Sequence, residues 1–231
     1  MLTDACLRGK LWTVLRNCGR FRDLVTRFVV ACVFEAFTHL RTQGIIYRDL
    51  KPGNPLPNDQ GYVRLCDFGF AKRIGSKKTT WLFCGIPEYV APGIILNKGH
   101  DHSDDHRSFG ILIFKLLTVS PPFTGSNPKK IYNVVQCEID AMEFSPIHIN
   151  RTAAILIKRL YAQNPTQRFG HGFGGVIDIK LNEYFQGFDW IGAHQGTLVA
   201  PIQPTIAGPD YVSNFDKYPE KAENPPDEHF G

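Results

Sequence analysis

The chain has 231 residues, with 43% hydrophobic and 12% aromatic side chains, so it can build a full core and wholesale disorder is excluded. Lys plus Arg number 26 and Asp plus Glu 22, and the resulting +4 divides into +8 over residues 1–208 and −4 over residues 209–231. A mildly basic body with an acidic tail, and no extended arginine-rich run, carries no nucleic-acid signature.

In chain order, residues 21–42 read as a long helix. Phe21, Leu24, Val25, Phe28, Val29, Cys32, Val33, Ala36, Phe37 and Leu40 recur at three- and four-residue steps. The wide apolar arc predicts burial on most sides, and Gly44 sits where a helix commonly closes. Ile45-Ile46-Tyr47 then leads into a polar loop over 48–54. Residues 56–66 read as a hairpin turning at Asn58-Asp59-Gln60-Gly61, with Pro55 and Pro57 confining the first arm to an edge. A second buried helix covers 104–119, Asn127-Pro128 opens a third, and Asn150 caps a fourth carrying Ala154, Ile155, Ile157, Leu160 and Tyr161. From about 196 the composition turns to Pro, Gly and Asp, which reads as a tail ordered only where it is pinned. There are no internal repeats.

The six cysteines, at 6, 18, 32, 66, 84 and 137, show no paired spacing, and no secretory opening precedes them. They read as free thiols in a reducing, cytoplasmic setting. Glu35 and Lys115 interrupt the longest apolar runs, so no membrane span is expected.

The chemistry concentrates in Tyr47-Arg48-Asp49-Leu50-Lys51-Pro52-Gly53-Asn54 and, after the hairpin, Asp67-Phe68-Gly69. Phosphoryl transfer from ATP to a hydroxyl needs a carboxylate facing the hydroxyl and a cation near the moving phosphoryl. It also needs an amide oxygen and a second carboxylate to hold magnesium. Asp49, Lys51, Asn54 and Asp67 are those four types, and the hairpin folds the last two toward each other. A polar loop followed by a turn explains either motif alone, but not both at this spacing behind a long buried helix.

With Phe83-Cys-Gly-Ile-Pro-Glu-Tyr-Val-Ala-Pro, Gly196-Thr-Leu and Ser213-Asn214-Phe215-Asp216 added, the sequence resembles the AGC group of eukaryotic protein kinases, in particular the cyclic-GMP-dependent ones. The resemblance implies a mainly α fold, the kinase large lobe with a small β-hairpin. Residues 1–10 would be a hinge remnant, 11–186 the large lobe and 187–231 an AGC-type tail. It implies an ATP- and magnesium-dependent serine/threonine kinase. Asp49 and Lys51 would be catalytic and Asn54 and Asp67 would hold the metal. Asp4, Cys6, Leu56 and Phe215 would surround the nucleotide. Arg48 and Lys72 would grip an activation-loop phosphate, and Glu88, Asp105 and Arg168 would support the site.

The departures are as informative. The small lobe is expected to be absent: before Asp49 the only glycines are Gly9, Gly19 and Gly44, and no Val-Ala-x-Lys strand exists. Gly170, Gly172 and Gly175 form a Gly-x-Gly-x-x-Gly pattern that follows a helix and reads as a surface turn. The family's Ala-Pro-Glu carboxylate, partner of a buried arginine, corresponds to Gly93. Arg168 is therefore expected to lose its partner. The activation-loop threonine corresponds to Leu82, with Thr80 nearby, and a supporting threonine to Ile86. His106-Arg107 replaces an aromatic pair. Three acids that hold substrate arginines correspond to Lys10, Gly53 and Lys115, which predicts lost selectivity for arginine-rich peptides. Pro55 restricts Asn54. His100, His102 and His106 with Asp101, Asp104 and Asp105 suggest a metal site or a solvated loop, and Asp105's anchoring role favours the loop. Two readings stand: a kinase weakened without its small lobe, or a non-catalytic kinase-like module or truncated gene product that acts by binding a partner. The surface near Leu56 is expected to be uncovered, which favours a protein partner or aggregation.

Overall fold

The computed structural model describes residues 6, 9–74, 89, 101–123, 127–135, 144–172 and 174–202. Asp4, Leu82, Ile86, Glu88, Gly93 and Phe215 lie outside them, as do Thr80, His100, Cys84 and Cys137.

Helices dominate. In order they are α1 (Leu11–Cys18), α2 (Asp23–Thr42), α3 (His102–Thr118), α4 (Pro128–Val135), α5 (Arg151–Tyr161), α6 (Val176–Lys180) and α7 (Trp190–Gln195). Among the described residues four short strands, β1 (Ile45–Ile46), β2 (Pro55–Pro57), β3 (Val63–Leu65) and β4 (Lys72–Arg73), form two antiparallel pairs, β1 with β4 and β2 with β3.

α2 is the long helix expected. Asp23 opens it and His39 and Arg41 close it, matching the helix dipole. Gly44, at φ 65°, stops it and donates its N–H to the Arg41 carbonyl at 2.9 Å. α3 begins with a capping box: Asp101 accepts from Ser103 N at 2.7 Å and Asp104 accepts from Asp101 N at 3.1 Å. From Ser103 to Leu117 only Asp104 and Lys115 escape full burial. Each buried Leu, Ile or Phe there contributes about 1.5–3 kcal/mol. At Gly110 α3 runs so close to α5 that an added Cβ would stand 3.0 Å from Leu160 Cβ. Asn127 and Asn150 cap α4 and α5 as expected, accepting from Lys130 N and Ala153 N.

The core lies between α2, α3 and α5, with Phe34 and Phe109 rings 5.1 Å apart at its centre. The hairpin has the expected turn, and its register pairs Leu56 with Arg64. Its tip is tied to the chain beyond α7. The Tyr62 hydroxyl donates to the Leu198 carbonyl at 3.0 Å and accepts from Leu198 N at 2.8 Å. α7 is itself held on the body: Trp190 packs on Phe185 and Phe34, while Glu35 pairs with Lys180 and His194. Gly170, Gly172 and Gly175 lie in turns and bends between a 3-10 segment and α6, as their position after a helix predicts.

Candidate active site

The loop between β1 and β2 is suspended from α3. Asp105 is buried, and its two carboxylate oxygens accept the backbone N–H groups of Tyr47 and Arg48, each at 2.8 Å. Two donors on one carboxylate fix the loop's entry angle, and Arg48 takes a φ of 66° there. Burial drives the Asp105 carboxyl up to about 7, against the pull of those donors.

Asp49 follows, 4% exposed. The Lys51 ammonium donates to its Oδ2 at 2.7 Å, and the Asn54 amide donates to the same oxygen at 2.9 Å and to the Asp49 carbonyl at 2.7 Å. Charge and hydrogen bonds thus hold one carboxylate oxygen, and Lys51 remains partly open to solvent. Asn54 is buried as well, and turning its nitrogen inward leaves the amide oxygen as its ligand-type atom.

The second motif is stitched to the first. Cys66 N donates to the Asn54 carbonyl at 3.0 Å, and the Tyr47 hydroxyl donates to the Cys66 carbonyl. Asp67 comes next, exposed, at φ 57°, its Oδ1 accepting a long 3.3 Å bond from Gly69 N. Burial raises the Tyr47 phenol, and the charges of Asp49 and Asp67 both add to that rise. A buried amide oxygen and a loosely held carboxylate suit a hard divalent cation that keeps water and phosphate ligands. Among the described residues no three His, Cys, Asp or Glu side chains form a cluster.

Of the residues that the resemblance assigns to the nucleotide, Cys6 is half-buried and close enough to Cys66 to contribute, after burial and Asp67, to raising its thiol. Leu56 is half-buried on the first hairpin arm. Arg48 Nε donates to the Phe70 carbonyl at 2.7 Å, and Lys72 is exposed on β4, paired with Ile46.

Two expectations need correction. Arg168 has not lost its partner. It is fully buried, and Nη1 donates to Asp104 Oδ1 and Ser103 Oγ, each at 2.9 Å, with Nε donating to the Ala162 carbonyl at 3.1 Å. The described part of the histidine cluster is not a solvated loop. Asp101 caps α3, and His106 lies in the core with its pKa driven down to about 3 by burial first and neighbouring cations second.

Sequence reasoning passed over Tyr47 as the link between the motifs, and Asp104 as an ion-pair partner. The aromatic before Arg-Asp was a visible signal for the first. Nothing local marked the second. At the positions matching the substrate-holding acids, Lys115 stacks over Trp12 at 4.6 Å and Gly53 has no atom within 4 Å of an added Cβ.

The protein kinase domain family matches residues 1–184. A cGMP-dependent protein kinase of Drosophila melanogaster, isozyme 2 forms cD5/T2, is 52% identical over 226 residues, covering 98% of this chain and 24% of the relative. Caenorhabditis elegans cGMP-dependent protein kinase egl-4 is 48% identical, and Homo sapiens cGMP-dependent protein kinase 2 is 50% identical. Each alignment covers 100% of this chain and 30% of the relative. The chain thus spans about a quarter to a third of the curated relatives it matches. No helix among the described residues is long and apolar enough to cross a membrane. The chain belongs to the protein kinase domain family.

Proposed function

We propose that these residues are part of a serine/threonine protein kinase of the cyclic-GMP-dependent type, using ATP and magnesium. The observation that carries this reading is the shared hold on Asp49. Lys51 and Asn54 converge on its Oδ2, and Asn54's own carbonyl anchors the residue before Asp67. In this reading Asp49 receives and orients the substrate hydroxyl. Lys51 places positive charge beside the moving phosphoryl, and the buried setting strengthens both effects. Asn54 and Asp67 hold magnesium, which when bound neutralises phosphate charge. Cys6 and Leu56 border the adenine, and Asp4 and Phe215 are assigned there by resemblance. Residues 1–10 serve as the hinge segment, 11–186 as the large lobe and 187–231 as the tail. Arg48, Lys72 and Glu88 act around the activation segment. Cys18, Cys32 and Cys66 are free thiols, which suits a cytoplasmic protein.

A second reading, a module that binds a protein partner without transferring phosphate, is favoured by Gly53, Leu82, Ile86 and Gly93, which stand where the resemblance expects other residues. By themselves residues 1–231 are expected to transfer phosphoryl weakly. Thermal melting with and without magnesium-ATP separates the readings. A shift of several degrees that Asp67→Asn abolishes supports the nucleotide site. No shift moves the assignment to the binding module.

A further inference from the structure

A second concave site lies on a different face of the helical body. Between the α1–α2 link and the segment entering α5 is a cavity of about 270 Å³, lined by Arg20, Arg22, Ile147, His148 and Asn150 among others. It shares no residue with the loop around Asp49. Phe21 is buried, and its N–H donates to the Leu116 carbonyl at 2.9 Å, pinning the middle of an Arg-Phe-Arg triplet. Arg22 is extended, at φ −70° and ψ 159°. In extended chain, residues two apart share a face, so with Phe21 turned inward both arginines stand on the outer side. Arg20 Nη1 lies against the His148 ring, 3.1 Å from Nε2.

The one carboxylate lining the cavity is spent internally. Asp23 accepts from Arg27 at 2.7 Å through one oxygen and from Asn150 Nδ2 at 3.0 Å through the other. Arg20 and Arg22 therefore set the sign of the field in the cavity. α2 starts directly after Arg22 and has no side-chain cap, which adds the helix dipole to that field.

We propose that this cavity docks a phosphorylated serine or threonine within a peptide segment of a protein partner. Guanidinium forks match phosphate oxygens in pairs, and two of them on one face suit a phosphomonoester better than a diester. The cation group is compact and does not extend into the track that a nucleic-acid backbone follows. It also falls short of the four to eight basic residues that mark an anionic-membrane patch, roughly speaking. Beside the cations stands an apolar wall, Pro146 and Ile147, the latter 79% exposed. That wall fits a side chain flanking the phosphoresidue.

The test is fluorescence anisotropy of the full chain, in buffer without nucleotide so that catalysis plays no part. The probes are a labelled degenerate peptide pool with central phosphoserine, the same pool with serine, oligothymidine, and phosphatidylserine vesicles. The phosphoserine pool is expected to bind about tenfold or more tighter than the serine pool, and R20Q/R22Q to erase that difference with unchanged melting temperature. Equal binding of both peptide pools, no binding at all, or indifference to R20Q/R22Q overturns the proposal, as does tighter binding of oligothymidine or vesicles. Should the double variant melt lower, the single variants R20Q and R22Q decide: each weakens the phosphoserine pool selectively, or the proposal fails.

Discussion

The Arg168 guanidinium and the Asp104 carboxylate meet at 2.9 Å, 64 residues apart in sequence, with the arginine side chain wholly enclosed. The pair ties the turn after α5 to the first turn of α3, next to Asp105, which carries the loop between β1 and β2. Loss of one partner strands a buried cation. Asp104→Ala is expected to lower stability by about 3–5 kcal/mol, measured by urea unfolding. A loss below about 1 kcal/mol would mean that Ser103 and the carbonyls suffice.

Acid sensitivity should trace to His106. Its folded pKa, about 3, lies below the 6.5 of a free histidine, so its contribution is fully present above pH 6.5 and is lost as pH falls toward 3. Asp105 works the other way. Its carboxyl rises to about 7 from 3.8, so its contribution is present at low pH and lost as pH climbs through 7. Comparing wild type with His106→Phe isolates the histidine. Between pH 6 and 4 the variant should gain about 1 kcal/mol per pH unit relative to wild type, read from denaturant midpoints. Parallel pH curves would refute it.

Two glycines of the same region should respond unequally to alanine. At Gly61, φ is 85° and a Cβ would come within 2.4 Å of the Ile202 carbonyl oxygen, which is backbone and cannot step aside. Gly61→Ala is expected to cost about 2 kcal/mol or more. Gly53 has open space and ordinary backbone, so Gly53→Ala should be nearly neutral. Melting temperatures of both variants, measured side by side, check this.

Open space at Gly53 also permits a gain of charge. Gly53→Glu should raise affinity for arginine-containing peptides about fivefold, on the order of 1 kcal/mol for a partly exposed ion pair. Titration with arginine-bearing and arginine-free peptides measures it. No change would indicate that the cation of Lys115, held over Trp12, dominates the field there.

Sequence periodicity was enough to place α2, α3 and the β2–β3 hairpin, because each signal is local: a repeating apolar face, a capping residue, a turn ending in glycine. The four residue types of the loop were legible for the same reason. Pairings across distance were not. β1 with β4 joins two-residue strands too short to show alternation. α1, with eight residues and no acidic residue in its first turn, offers little beyond Leu11 and Leu15 on one face. The Tyr47 link to Cys66 and the Asp104 partnership with Arg168 depend on how α3 lies against the loop and α5, which only the assembled core determines.

The double hydrogen bond between Tyr62 and Leu198 has a consequence for biosynthesis. Its two ends are 136 residues apart, so the hairpin that continues from Asn54 cannot be latched until residue 198 has been translated. The loop around Asp49 would then mature late and slowly, as contacts of long sequence separation do. Nascent chains stalled before residue 198 should leave that loop open to protease.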